Sequence, residues 1–343
     1  MPSVLESLNS ALHRAFSDDE NVYLLGEDVL DPYGGAFKVT RGLSTNFPGR
    51  VLTTPVSEAG IVGVAAGMAL RGLHTVVEIM FGDFMTLVAD QVINYIAKFH
   101  WMYNDQVQLP LVIRTPMGGR RGYGPTHSQT LEKLYLGIPG LQVLAPAALS
   151  SADSPGDPGS LLYHAIIHNH EPLIFIENKL QYVLPVLNQA DLTDFTLSTY
   201  TGGTGSSYPT YSLSIKGAPP AKLSIAAYGY MVELVKQAAL RLAYEHEIFV
   251  ELVIPTQLAP FDIRPILGSA CQTGALLTVE EGNLSLGWGS EVIARVAENS
   301  GNQSIRFKRL AAQEVPVPAS GPLEELALPG VEQVIQSAIQ LRG

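Results

Sequence analysis

The sequence is poor in cysteine and in long apolar runs. Its 343 residues include a single cysteine, Cys271, which excludes a disulfide framework and a zinc site built on cysteines and is typical of a reducing compartment. No uninterrupted apolar run approaches the roughly 20 residues that a membrane-spanning helix needs. The first six residues lack the basic and apolar regions of a secretory signal. We therefore predict a cytoplasmic protein without a membrane segment.

Charge is also scarce, and positive charge most of all. Charged residues make up 15% of the chain, against roughly 25% in typical soluble domains. The 21 Lys and Arg residues are outnumbered by 32 Asp and Glu residues, which gives a formal net charge of −11. Without a basic cluster, the chain lacks the electrostatic footprint of a nucleic-acid-binding protein. So little charged surface predicts large faces buried against other subunits.

Short apolar runs alternate with helical patterns, which is typical of an α/β fold with a mostly parallel sheet flanked by helices. A second, smaller alternating unit follows a stretch rich in Gly, Ser and Pro. We predict a first domain at 1–185, a linker at 186–221 and a second domain at 222–343. The predicted strands are 22–26, 75–80, 109–114, 141–145, 172–177, 223–228, 250–254 and 275–279, and the predicted helices include 3–16, 60–72 and 230–246.

One candidate functional residue lies in the segment Thr54 to Gly60. Pro55 ends a strand, Ser57 is placed to cap the following helix, and Glu58 falls in its first turn. An acidic residue there is explained by the helix dipole alone. The alternative is a carboxyl group held in an apolar cleft, where burial raises its affinity for a proton. Both interpretations stay open on the residues alone.

A second candidate region is a Gly-rich, cationic loop at 114–129 that ends near His127. It matches neither the P-loop nor the dinucleotide-binding pattern, so it is either an ordinary surface loop or a site where His127 handles a proton. Met80 and Phe84 lie in an apolar segment. It forms either part of the hydrophobic core or a surface on which the ring of a ligand stacks. The cluster at His164, His168 and His170 lacks carboxylates and is weak as a metal site.

Taken in order, a series of short segments resembles the β subunit of the E1 component of 2-oxoacid dehydrogenase complexes, a family that includes pyruvate, branched-chain 2-oxoacid and acetoin dehydrogenases. The resemblance covers nearly the whole chain. The segments are LLGEDV at 24–29, GGAFKVTRGL at 34–43, TPVSEAGIVG at 54–63, FGDF at 81–84, DQVIN at 90–94, HSQTLE at 127–132, IPGL at 138–141, FIENK at 175–179, AYGYMV at 227–232, PFD at 260–262, EEG at 280–282 and GWGSE at 287–291.

The resemblance implies a transketolase-like pyrimidine-binding domain, a transketolase-like C-terminal domain, and thiamine diphosphate as the cofactor. By analogy with the family, Glu58 hydrogen-bonds N1′ of the aminopyrimidine ring, Phe84 stacks on that ring and Met80 lines the same pocket. His127 matches a family histidine that assists proton handling when the acyl group passes to lipoamide. The implied activity is oxidative decarboxylation of a 2-oxoacid, with pyruvate favoured by base rate alone.

The family's Gly-Asp-Gly motif, which holds the diphosphate through Mg²⁺, does not occur in this chain. In the heteromeric family it lies on a separate α subunit, so the resemblance implies an α₂β₂ assembly with β–β contacts, a lipoyl-bearing E2 partner, and no metal ligand on this chain. The 168–170 segment replaces a family Asp and argues against a potassium ion. Differences at 103–105, 150–160 and 201–221 leave two alternatives open: an acyloin- or acyl-forming enzyme, and a non-catalytic assembly subunit.

Overall fold

The computed structural model describes residues 1–152, 155–201 and 208–342. Most of the Gly- and Ser-rich run in the predicted linker, at 202–207, lies outside the described residues, as do 153–154 of the irregular 150–160 segment. The strands are β1 (Val22–Gly26), β2 (Val51–Thr53), β3 (His74–Glu78), β4 (Leu111–Met117), β5 (Gln142–Leu144), β6 (Leu173–Asn178), β7 (Phe195–Tyr200), β8 (Thr210–Ile215), β9 (Leu223–Ala227), β10 (Val250–Pro255), β11 (Gln257–Ala259), β12 (Ala275–Asn283) and β13 (Arg306–Ala312).

The helices alternate with these strands, as the apolar periodicity predicts. Within the described ranges, no helix combines the length and apolar character needed to cross a membrane. The helices are α1 (Val4–Asp18), α2 (Leu43–Asn46), α3 (Glu58–Ala69), α4 (Phe99–Met102), α5 (Pro158–Ile167), α6 (Met231–His246), α7 (Arg264–Thr273), α8 (Trp288–Asn299), α9 (Gly321–Ala327) and α10 (Val331–Arg342).

The first sheet has seven strands in the order β11-β5-β6-β4-β3-β1-β2. Its six strands from the first half of the chain all pair in parallel, and each central strand is buried on both faces, as parallel sheets require. Helices α1 and α5 pack against each other on one face of this sheet, and α3 covers the other. The α/β prediction is confirmed.

The second sheet has the order β13-β12-β9-β10-β8-β7. Strands β13, β12, β9 and β10 are parallel, whereas β7 and β8 form an antiparallel pair on the β10 edge. Both β7 and β8 fall inside the segment predicted as a linker at 186–221. That segment therefore supplies two strands to the second sheet, because β8 pairs with the edge of β10 and β7 pairs in turn with β8.

The two domains share one apolar core. A single cluster of buried side chains runs from α3 and β4 of the first domain to Tyr228 and Trp288 of the second. In addition, β11, from the second half of the chain, pairs antiparallel with β5 and forms the outermost strand of the first sheet. The second domain is thereby fixed along the β5 side of the first sheet.

Candidate active site

Four predicted site residues lie at one edge of the first sheet. Parallel strands bring their carboxyl ends to the same edge, which is where open α/β sheets place their ligands. Glu58 follows β2, Met80 follows β3, and His127 lies on the loop that follows β4. Phe84 lies in a short 3₁₀ segment, Gly82–Val88, which packs against α3 and also follows β3.

Glu58 is the first residue of α3 and is 8% exposed. Ser57 occupies the N-cap position but its side chain caps no backbone N–H, which differs from the capping predicted from sequence. Glu27, which follows β1, is buried nearby, and one of its carboxylate oxygens has no partner among the described residues. Burial raises the pKa of Glu27, and the negative charge of Glu58 raises it further. Two carboxyl groups thus face a shared, partly dehydrated site.

His127 and Phe84 lie against each other in an aromatic cluster. The ring centroid of His127 is 4.7 Å from that of Phe81 and 5.3 Å from that of Phe84, both edge-to-face. Tyr123, an exposed residue of the same loop, has its ring 6.1 Å from Phe81. Nδ1 of His127 is 2.9 Å from the hydroxyl of Thr126, which sets the orientation of the imidazole. The cluster leaves the ring of Phe84 half-buried and able to meet a flat ligand.

Met80 is half-buried beside this cluster, between the end of β3 and Phe81. Gly82 lies behind it, where a Cβ atom would come within 2.3 Å of the Met117 side chain. The close approach of these two segments holds the shelf formed by Met80 to Phe84 against the sheet.

Two carboxylates from the second domain hold residues 118–125, the central part of the Gly-rich loop. Glu281 accepts hydrogen bonds from the backbone N–H of Gly119 at 2.7 Å and from the side-chain amide of Asn178 at 2.8 Å. Glu324 accepts from the N–H groups of Arg120 and Gly122, at 2.6 and 3.1 Å. The loop that leads to His127 is therefore shaped by the second domain.

A buried ion network ties the carboxyl ends of β3, β4 and β6 together beneath the site. The Arg114 guanidinium donates to Glu177 with two nitrogens, at 2.8 and 2.7 Å, and to Glu78 at 2.7 Å. All three side chains are buried. Burial raises the pKa of Glu78, whereas the positive charge of Arg114 opposes that change. This network links β3, β4 and β6 at the edge from which the His127 loop departs.

Sequence reasoning assigned no role to three buried residues of this site: Glu27, Asp83 and Lys179. Each follows or closely succeeds a strand of the first sheet, as do the predicted site residues. A charged residue directly after a buried strand is the signal that could have found them. The tertiary contacts that give Lys179 a partner 52 residues away were not readable from spacing.

The site fits one end of thiamine diphosphate. One carboxylate oxygen of Glu27, whose pKa the nearby charge of Glu58 raises, is buried without a hydrogen-bond partner in the ranges the structure describes. A buried carboxyl group and a half-exposed aromatic ring on the same sheet edge are what an aminopyrimidine ring needs. No group of three or more His, Cys, Asp or Glu residues that could hold a metal is found in the described part of the chain; the prediction about metal ligands is left as a prediction.

Known families match both halves of the chain. Residues 1–184 match the family described as "Transketolase, pyrimidine binding domain", and residues 218–334 match "Transketolase, C-terminal domain". The solved structure "Split gene transketolase, inactive beta4 tetramer" is similar over 99% of this chain and 98% of its own, with a TM-score of 0.73 and 19% identity. The fold and the two matches define a two-domain protein of the transketolase-like class.

Relatives narrow this class. The chain is 35% identical to "Pyruvate dehydrogenase E1 component subunit beta-1, mitochondrial" of Oryza sativa subsp. japonica, covering 98% of this chain and 85% of the relative. It is 32% identical to "Acetoin:2,6-dichlorophenolindophenol oxidoreductase subunit beta" of Bacillus subtilis, covering 99% and 97%. The chain belongs to this family of 2-oxoacid dehydrogenase E1 β subunits, which confirms the resemblance found in the sequence.

Proposed function

We propose that this chain supplies the pyrimidine side of a thiamine diphosphate site in an E1 enzyme that decarboxylates a 2-oxoacid and transfers the acyl group to lipoamide on an E2 protein. The observation that carries the proposal is the placement of buried Glu58 at the start of α3, on the same sheet edge as the contacting rings of Phe84 and His127. Membership of the E1 β family supports the same activity.

Each residue has a distinct task in this proposal. Thiamine diphosphate, when bound, supplies the carbon nucleophile and the electron sink for decarboxylation. Glu58 shares a proton with N1′ of the pyrimidine. Phe84 stacks on the ring, and Met80 lines the same pocket. His127 donates or accepts a proton when the acyl group leaves for lipoamide.

An α subunit is needed for the other half of the cofactor site. This chain lacks a Gly-Asp-Gly motif, so in this proposal the diphosphate and Mg²⁺ are held by the α partner. The surface of the first domain supports a partner there. Helix α3 is apolar on nearly every side, yet its Val64 is 58% exposed. Val64 lies beside Gly63 and Gly67, where an added Cβ atom would meet no other atom within 4 Å. Close to the site, Val56 is 82% exposed. Such a surface fits burial against another subunit.

The β–β contact of an α₂β₂ tetramer, the E2 partner and the cytoplasmic location are parts of this proposal that rest on the family. Several relatives are named as mitochondrial proteins, so the fold does not by itself determine the compartment. Pyruvate is the first substrate to test. The acyloin-forming alternative shares every residue above and differs in its acceptor, whereas the non-catalytic alternative predicts no cofactor binding at Glu58.

The decisive experiment compares Glu58→Gln with the wild type in the complex reconstituted with the α subunit. We expect the variant to keep its fold and to lose at least about 100-fold in turnover, because an acid–base group is replaced by an isostere that cannot share a proton. Turnover is measured by reduction of 2,6-dichlorophenolindophenol with pyruvate and with branched-chain 2-oxoacids.

The matched control is Glu291→Gln, since Glu291 lies in the first turn of α8 and is exposed. It tests whether a helix-start glutamate matters through the dipole alone. Near-wild-type turnover of Glu58→Gln would remove Glu58 from the mechanism. Calorimetric absence of thiamine diphosphate binding by the wild-type complex would instead favour the assembly subunit. Carboligation with aldehydes in place of lipoamide-dependent transfer would favour the acyloin-forming enzyme.

A further inference from the structure

Lys179 is a fully buried lysine directly beneath the loop that carries His127. It follows the last residue of β6, and its backbone N–H continues the sheet by donating to the carbonyl oxygen of Met117 at 3.0 Å. Its ammonium donates a hydrogen bond to the backbone carbonyl oxygen of His127. The ammonium nitrogen also lies 5.3 Å from the ring centroid of Phe81 and 5.4 Å from that of Tyr123.

A buried ammonium is costly unless its surroundings compensate for the lost water. Burial lowers the pKa of Lys179 to about 8, while the negative charges of Asp83 and Glu281 oppose this change. Compensation is therefore partial: it comes from one backbone carbonyl, two aromatic faces and three carboxylates at a distance, those of Asp83, Glu281 and Glu324. The positive charge of Arg121 works against it. A methionine of similar length would fill the same space without that cost, so the retained charge indicates a task beyond packing.

The same neighbourhood fixes the far side of the His127 segment. Gln129 donates from its side-chain amide to Asp83 at 3.1 Å and to the carbonyl oxygen of Pro125 at 2.8 Å. Asp83 is itself buried, on the 3₁₀ segment that carries Phe84. Residues 125–129 are thus held at two points by a pair of opposite charges that follow different strands.

We propose that Lys179 is a positioning residue for acyl transfer: its ammonium, bound to the carbonyl oxygen of His127, holds the imidazole against Phe81 and Phe84 in the orientation the reaction uses. This inference rests on the proposed function of His127. It assigns to Lys179 no contact with the substrate, because the side chain is inaccessible from the site.

The test is a double-mutant cycle between Lys179→Met and His127→Ala in the reconstituted α–β complex, with lipoamide as acceptor. We expect Lys179→Met to lower the kcat of lipoamide-linked turnover at least 10-fold while the KM for the 2-oxoacid changes less than twofold. Because Lys179 acts through His127, the double variant should be no slower than His127→Ala alone, within twofold.

The matched control is Lys133→Met. Lys133 also donates to a backbone carbonyl, that of Ser285 at 2.9 Å, but it lies outside the site. It should leave turnover within twofold of the wild type. If Lys179→Met does not fold, Lys179→Gln takes its place in the cycle, since its polar side chain is neutral and one atom shorter and so withdraws the donor from the carbonyl oxygen of His127. The proposal is overturned if the two single-variant losses in kcat multiply in the double variant. It is also overturned if Lys179→Met has the kcat of the wild type.

Amide hydrogen exchange of the isolated full-length chain separates this inference from the proposed function. Faster exchange across residues 124–129 in Lys179→Met than in Lys133→Met supports positioning of the loop, and equal exchange in the two variants overturns it. If the wild-type complex shows no lipoamide-linked turnover, the proposed function fails, and the exchange comparison alone decides whether Lys179 positions His127.

Discussion

Glu280 offers a sharp test of the electrostatics at the interface between the domains. It lies on β12 and is fully buried, with one carboxylate oxygen accepting from the N–H of Gly289 at 2.9 Å. Glu132, from the first domain, is also buried and accepts a hydrogen bond from the hydroxyl of Tyr228. Burial raises the pKa of Glu280 to about 7, and the charge of Glu132 adds to the rise.

The sign of the effect follows from the two states of the protein. The pKa of Glu280 is about 7 in the folded chain, whereas an exposed glutamate of the unfolded chain has an ordinary pKa of 4.5, so the folded state binds the proton more tightly. The contribution of Glu280 to stability is fully present below pH 4.5 and is lost as the pH rises to 7. At about 1.4 kcal/mol per pH unit, the loss is on the order of 3 kcal/mol.

The perturbation is Glu280→Gln, which keeps an oxygen to accept from Gly289 and removes the titration. We expect the variant to unfold at a higher urea concentration than the wild type at pH 8, and the two proteins to converge towards pH 4.5. The assay is urea unfolding followed by circular dichroism across this pH range, with the exposed Glu298→Gln on the same domain as control. If the wild type and Glu280→Gln lose stability in parallel between pH 4.5 and 8, burial of Glu280 does not have the assigned effect.

Two further predictions concern the scaffold of the site. Arg114→Met should lower the free energy of unfolding by about 3–5 kcal/mol, because Glu78 and Glu177 are left as uncompensated buried acids. Urea unfolding checks this, and Arg241→Met, which breaks exposed ion pairs, should cost far less. Similar losses in both variants would contradict the role of burial. Glu324→Gln should destabilise the Gly-rich loop by about 2 kcal/mol, since one of two charge-assisted hydrogen bonds is lost. Hydrogen exchange across residues 118–122 measures this, and unchanged exchange would show that the loop holds its shape without the second domain.

Much of the fold could be predicted because it depends on local patterns of apolar residues in the sequence. Short apolar runs predicted the buried strands Val22–Gly26 and Leu223–Ala227, and helical periodicity predicted α6. A parallel sheet then brings the ends of β2, β3 and β4 to one edge, so the placement of Glu58 and His127 on that edge follows from the parallel pairing. Their chemical roles came from the order of the family's motifs, since a helix-start glutamate and a loop histidine are each ambiguous alone.

The sequence by itself determined much of the secondary structure, the α/β class and the family, because all three depend on residues close together in the chain or on their order along it. Tertiary structure alone decided that β7 and β8 belong to the second sheet, since β8 pairs with β10, an edge formed by distant residues, and β7 pairs with β8. It also brought Lys179 under His127 and Glu281 onto the Gly-rich loop. These contacts join residues 52 and 162 positions apart, and no periodicity encodes a hydrogen bond across such a separation.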